Sequence, residues 1–133
     1  EAPPRPAHEI ALEALHKLEA EKLWQHGYSQ QYHSQVTDVV RTYLEGRYKV
    51  PALEQTSDET LQSIRHVGLS SEQTEQLTQM LKLADMVKFA KYQPLPNENE
   101  LSLKNAYAFV NTTIPVTATE TSPVTEQASS ENA

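Results

Sequence analysis

The histidines are the residues best suited to metal or acid–base chemistry in this sequence: His8, His16, His26, His33 and His66. A helical metal pair needs two ligands three or four positions apart, so that both face one side. No two of these histidines have that spacing, and His8 and His16, eight apart, align only roughly. Exposed or edge histidines are therefore preferred over a metal centre. Asp85 has the most pointed setting of the carboxylates, within an apolar run and three positions from both Lys82 and Lys88. On a helix that spacing predicts a surface ion network. A buried pairing that fixes helix register is the sharper alternative. Catalysis by Asp85 would require a nucleophile or a partner base, and none is visible. Glu9, Glu13, Glu19 and Glu21 could divide acid and base roles only inside a pocket, and their density reads as a solvated face. No serine sits in a Gly-x-Ser-x-Gly setting, and no glycine-rich phosphate loop is present. With no cysteine, disulfides, thiolate zinc sites and cysteine nucleophiles are excluded. Asn111-Thr112-Thr113 matches the glycosylation sequon, a three-residue match read as chance. The residue chemistry thus predicts a chain that is not an enzyme and carries no cofactor or metal.

The totals fit one domain of 133 residues. The hydrophobic fraction of 38% is low because both ends are polar. Glycine is scarce, and Pro3, Pro4, Pro6 and Pro123 lie near the ends. The interior is therefore short of helix breakers. A net charge of −7 repels phosphate backbones. Arg41, Arg47 and Lys49 form one small basic group, and Lys82, Lys88 and Lys91 another. Both read as solvated flanks and helix C-terminal charges. No apolar run approaches the ~20 residues of a membrane span, and the opening EAPPRPAHE has no apolar signal core. A chain that opens on Glu1 is read as a piece of a longer protein.

The elements that must position these residues are helices. Leu77, Met80, Leu81, Ala84, Val87 and Ala90 recur at helical steps, and Leu83, Met86, Phe89 and Tyr92 widen the stripe. This segment, Ser71 to Tyr92, is the expected hub. Around it the pattern predicts helices over His8–Gln25, over Ser29–Glu45 with Gly46 as its stop, over Ser57–His66 and over Glu98–Asn111. The last of these buries Leu101 and Ala108, with some of Leu103, Tyr107 and Val110. Capping boxes are read at Thr56/Glu59, Ser70/Gln73 and Asn97/Glu100. The expected fold is all-α: a compact bundle of about five helices, one of them short, over residues 8–111. A Pro-rich linker, 1–7, precedes it, and a disordered Thr/Ser-rich tail, 112–133, follows.

Three stretches carry a resemblance: Tyr32–Glu59 (YHSQVTDVVRTYLEGRYKVPALEQTSDE), Leu83–Pro94 (LADMVKFAKYQP) and Pro6–Trp24 (PAHEIALEALHKLEAEKLW). Together they resemble the cytoplasmic helical segment of membrane proteins of the Bat-type aerotolerance operons, best known from Bacteroidetes. The likeness covers about residues 6–111 and rests on pattern, with no catalytic signature. In that family a transmembrane helix precedes the segment, joined by a Pro-rich linker. The operons also encode a MoxR-type ATPase and von Willebrand A-domain proteins. The resemblance implies a protein-interaction module on the cytoplasmic side of the bacterial inner membrane, with those proteins as partners. The surface expected to meet a partner is Lys82, Met86, Lys88, Phe89 and Tyr92. Two alternatives stand beside this reading. One is a metal- or ligand-binding sensor or enzyme using His16, His33 or Asp85. The other is a helix–turn–helix nucleic-acid binder built from the second and third helices, which the acidic charge opposes.

Overall fold

The computed structural model describes residues 5–115. Along it run α1 (Ala7–Glu21), a 3-10 turn (Trp24–His26), α2 (Ser29–Tyr48), a 3-10 turn (Ala52–Glu54), α3 (Ser57–Ser63) extended by a 3-10 turn (Ile64–His66), α4 (Ser71–Phe89) and α5 (Pro96–Thr112). There is no strand among the described residues. The all-α bundle expected from the helical periodicity is the architecture observed. Most of the expected tail, residues 116–133, and the first four linker residues lie outside the described range. The expected boundaries shift slightly. Ala7 already opens α1, Thr112 closes α5, and Thr113 is buried.

The helix at the centre is α2, not α4. It packs on α1, α4 and α5 and on the turns Trp24–His26 and Ala52–Glu54. It buries Tyr32, His33, Val36, Thr37, Val40, Tyr43 and Leu44. Each large apolar side chain so buried contributes about 1.5–3 kcal/mol against solvent exposure. By contrast, α4 packs mainly on α5, α2 and α3, and it buries Leu77, Met80, Leu81 and Val87. The width of its apolar stripe comes from side chains that stay outside the core.

Gly46 does not stop α2. It lies within the helix, where a Cβ would stand 3.0 Å from the Cβ of Ala7. The missing side chain lets the start of α1 close on the end of α2, as the antiparallel α1–α2 pair requires. Lys49, in the left-handed region at φ 62, ends α2, and its N–H donates to Glu45 O. Similarly α1 ends at Lys22, φ 53, before the turn that Gly27 closes at φ 93.

The capping boxes at Thr56/Glu59 and Ser70/Gln73 form as expected, each with both reciprocal bonds. The expected box at Asn97/Glu100 does not. Pro96 takes the first helical position of α5, where its missing N–H costs nothing. Glu98 then accepts the Leu95 N–H at 2.8 Å. The buried face of α5 also differs from the expected one. Leu101 is 45% exposed, whereas Asn99, Ser102, Leu103, Asn105, Ala106, Phe109 and Val110 are buried. Polar members of this face find partners across the bundle: the Asn105 Nδ2–H donates to Gln79 Oε1 at 3.1 Å, and Asn99 is bonded to α2. Counting apolar residues alone misplaces such a face, because its polar positions are satisfied by partners rather than by solvent.

Candidate functional site

Of the expected contact residues, Lys82, Met86, Lys88 and Phe89 are exposed on α4. Phe89 is 73% exposed and Met86, one turn earlier, 44% exposed. The Lys88 ammonium stands 5.2 Å from the centroid of the Phe89 ring, a cation–π distance that orients the ring outward with charge beside it. Lys82 is exposed, its Nζ 3.6 Å from Asp58 Oδ1; so exposed a pair contributes little to stability. Tyr92 is placed differently. It is half-buried, and its hydroxyl donates to Glu98 Oε1 at 2.8 Å while its N–H donates to Met86 O at 3.0 Å. Lys91, at φ 56, turns the chain back to allow this. Tyr92 therefore ties the end of α4 to the start of α5 and is not a free member of the surface. Because Leu95 N–H and Tyr92 O–H both donate to it, the Glu98 carboxyl is held below the usual carboxylate range, and the same bond raises Tyr92.

Two grooves flank this ridge. One, about 300 Å³, lies between α4 and α5 and is walled by Leu83, Met86 and Leu101 over Ser102 and Asn105. The other, about 490 Å³, runs between α2, the Ala52–Ser57 segment and α4, with Leu53 and Phe89 at its edges and Arg41 and Asp85 among its lining. Leu53, Leu83 and Leu101 were not among the expected contact residues. Leu101 was assigned to the core, and Leu53 lies in an irregular segment where periodicity carries no signal.

Arg41 shapes the second groove from beneath. Its Nη1 donates to Ala52 O at 2.8 Å, Gln55 O at 2.7 Å and Thr60 Oγ1 at 3.2 Å, and its Nη2 donates to Ser57 Oγ at 3.2 Å. Arg47 donates from Nε to Thr113 O at 2.8 Å and lies over the Tyr48 ring. Two of the three cations in the basic group at Arg41, Arg47 and Lys49 are thus spent on backbone carbonyls, which removes them as a phosphate patch.

The candidate metal residues do not converge. His33 is 1% exposed in the core, with Nε2 2.7 Å from Asn99 Oδ1. His16 is exposed, its ring 5.2 Å from that of Tyr107. Asp85 is half-buried in the second groove. It forms no ion pair with Lys82 or Lys88 among the described residues, so neither pairing expected of it is present. No group of three or more His, Asp or Glu side chains able to hold a metal is found among those residues. The helix–turn–helix alternative meets an electrostatic obstacle. Its recognition helix would be α3, whose first turn carries Asp58 and Glu59. Acids there would face the phosphates of a groove. No helix among the described residues is long and apolar enough to cross a membrane.

Comparison with protein-family models, with curated proteins and with solved structures returns no match for this chain.

Proposed function

We propose that this chain is a non-enzymatic protein-interaction module whose contact surface is the outer ridge of α4, formed by Met86 and Phe89 with Lys82 and Lys88 beside them. One observation supports this most directly. Two large apolar side chains stand exposed one turn apart, with a groove on either side. An aromatic anchor with room beside it for a partner's side chains is the pattern of an interface centre. The lysines favour a partner with an acidic rim. The resemblance to the Bat-type segment supplies the setting: the cytoplasmic face of the bacterial inner membrane, a membrane anchor outside this sequence, and a MoxR-type ATPase or von Willebrand A-domain protein as partner.

The test is capture of those two purified partner types on the immobilised chain, repeated with Phe89→Ala and Met86→Ala. Because Phe89 is mostly exposed, the variant keeps its unfolding midpoint. Loss of a central anchor weakens binding about 30-fold. Unchanged capture by a folded Phe89→Ala chain removes the ridge as the surface. Failure of the unaltered chain to capture either partner removes the setting.

A further inference from the structure

A third groove, about 570 Å³, runs between the antiparallel helices α1 and α2, with no residue of α4 in its lining. Its lining is mostly small or apolar, as at Ala14, Val39 and Gly46, and Ile10 beside them is 45% exposed. Three charged residues also line it: Arg5, Asp38 and Lys49. Arg5 is already engaged, its Nη1 2.6 Å from Glu13 Oε1 and its Nε 3.7 Å from Glu9 Oε1. Asp38 and Lys49 are exposed, and among the described residues neither is in an ion pair. Lys49 Nζ has only a long bond, 3.4 Å, to Gly46 O. What remains is one carboxylate on α2 and one ammonium at its C-terminal end. They stand eleven positions apart, which is three turns and about 16 Å along the helix.

We propose that two copies of this chain associate face to face through the α1–α2 groove, as a symmetric dimer in which Asp38 of each copy pairs with Lys49 of the other. A two-fold axis laid across the helices, level with the midpoint between Asp38 and Lys49, sets α2 antiparallel to its copy and makes both pairings at once. The same axis brings an apolar contact to the centre. Gly46 and Ala7 mark where α1 and α2 run level. Three residues along each helix from there, at equal rise, Ile10 stands level with Tyr43. The exposed Ile10 thus lies close to the axis and meets its own copy. Charged ends around an apolar centre are the layout of an interface. Opposite charges on either side of one exposed apolar side chain suit a second copy better than a partner of single charge sign. Two helices about 10 Å wide and 22 Å long offer roughly 450 Å² per copy. That size, and the net charge of −7 on each copy, place the association in the weak, reversible class. The face is separate from the α4 ridge, so either can fail without the other.

Sedimentation equilibrium of the full chain, taken to about 1 mM, reads the association. The unaltered chain is expected to form a reversible dimer. Asp38→Lys and Lys49→Asp each set like charges against one another at both ends, and each should weaken the dimer about tenfold. Both positions are exposed, and aspartate tolerates the left-handed backbone found at Lys49, φ 62. Both variants therefore keep the thermal midpoint of the unaltered chain. An equal mixture of the two restores opposite charges at both ends of a heterodimer, and with them the affinity. The double variant Asp38→Lys, Lys49→Asp restores it within one chain. Phe89→Ala leaves the dimer unchanged. A monomer at about 1 mM overturns the proposal. So does a dimer indifferent to both single swaps, one that neither the mixture nor the double variant restores, or one lost in Phe89→Ala, because the contact then lies on another face.

Discussion

His33 on α2 and Asn99 on α5 are joined by a 2.7 Å bond between Nε2 and the side-chain oxygen Oδ1, deep in the bundle. An amide oxygen only accepts, so Nε2 carries the hydrogen and the neutral tautomer is fixed. The preceding residue, Tyr32, donates its hydroxyl to Asn99 O at 2.8 Å. Two consecutive residues of the central helix thus hold one residue of α5, which sets the register between them.

This bond carries a pH dependence. Burial lowers the His33 pKa below its ordinary 6.5, against smaller opposing effects of the Asn99 bond and the Glu98 carboxylate. Just below 6.5 the unfolded chain binds a proton that the folded chain refuses. Stability therefore falls as pH drops from 6.5 through the lowered folded value and levels off beneath it. Urea unfolding from about pH 8 to pH 5 measures this slope, and His33→Gln is expected to flatten it while lowering stability throughout. The same slope in both chains would show that another group titrates.

Arg41 is expected to be the most sensitive position outside the apolar core. Its guanidinium holds two backbone carbonyls, Ala52 O and Gln55 O, in the segment between α2 and α3. Hydrogen bonds from a charged donor contribute about 1.5–3 kcal/mol each, so Arg41→Ala should cost about 2–4 kcal/mol. Arg41→Lys should recover only part of this: both carbonyls accept from Nη1 alone, but a single ammonium cannot also supply the bond that Nη2 donates to Ser57 Oγ. Urea midpoints decide it. A loss under about 0.5 kcal/mol for either variant would show that the segment holds its place without the clamp.

Where the sequence was readable, a local rule agreed with the tertiary outcome. The Thr56 and Ser70 starts are local hydrogen-bond geometry, and both formed. The α2 face was legible because Tyr32, Val36, Val40 and Tyr43 are apolar at helical spacing. The α5 face was not, because Asn99 and Asn105 are buried through partners on other helices, which no local pattern contains. Gly46 misled for a related reason. A glycine just after a periodic stretch resembles a stop, yet its purpose lies in Ala7, far away in sequence. The surplus apolar residues of α4 were seen, but periodicity alone does not separate a helix flanked on two sides from one with an exposed ridge. Of the expected surface, Lys82, Met86, Lys88 and Phe89 are exposed, with Lys82 and Met86 lining one groove and Lys88 and Phe89 the other. Tyr92 is diverted by Glu98, whose role depends on where α5 begins.

The Gly46–Ala7 contact makes a paired prediction. Alanine is favoured over glycine within a helix by about 1 kcal/mol, and at Gly46 this gain is opposed by the 3.0 Å approach to the Ala7 Cβ. Gly46→Ala alone should therefore change stability by less than about 0.5 kcal/mol, while Gly46→Val, with further atoms to place, should destabilise by about 1–3 kcal/mol. In an Ala7→Gly background, Gly46→Ala should become stabilising. Thermal unfolding of the four chains of the cycle measures the coupling, and a fully additive cycle would show that the two residues do not limit one another.

The last prediction concerns the hydroxyl chain that secures the end of the fold. Thr113 Oγ1 lies 2.7 Å from Phe109 O and 2.7 Å from the Tyr43 hydroxyl. A carbonyl only accepts, so the single Thr113 hydrogen goes to Phe109 O, and Tyr43 must donate to Thr113. Burial raises the Tyr43 pKa and keeps that donor protonated. Thr113→Val preserves shape but leaves the Tyr43 O–H buried without an acceptor, at a cost of about 1–3 kcal/mol. Tyr43→Phe removes the donor and leaves Thr113 still bonded to Phe109, at about 0.5–1.5 kcal/mol. With both changed, no donor is stranded, so the double variant should be no less stable than Thr113→Val alone. A double variant that loses the sum of the two single losses would show that the hydroxyls act separately.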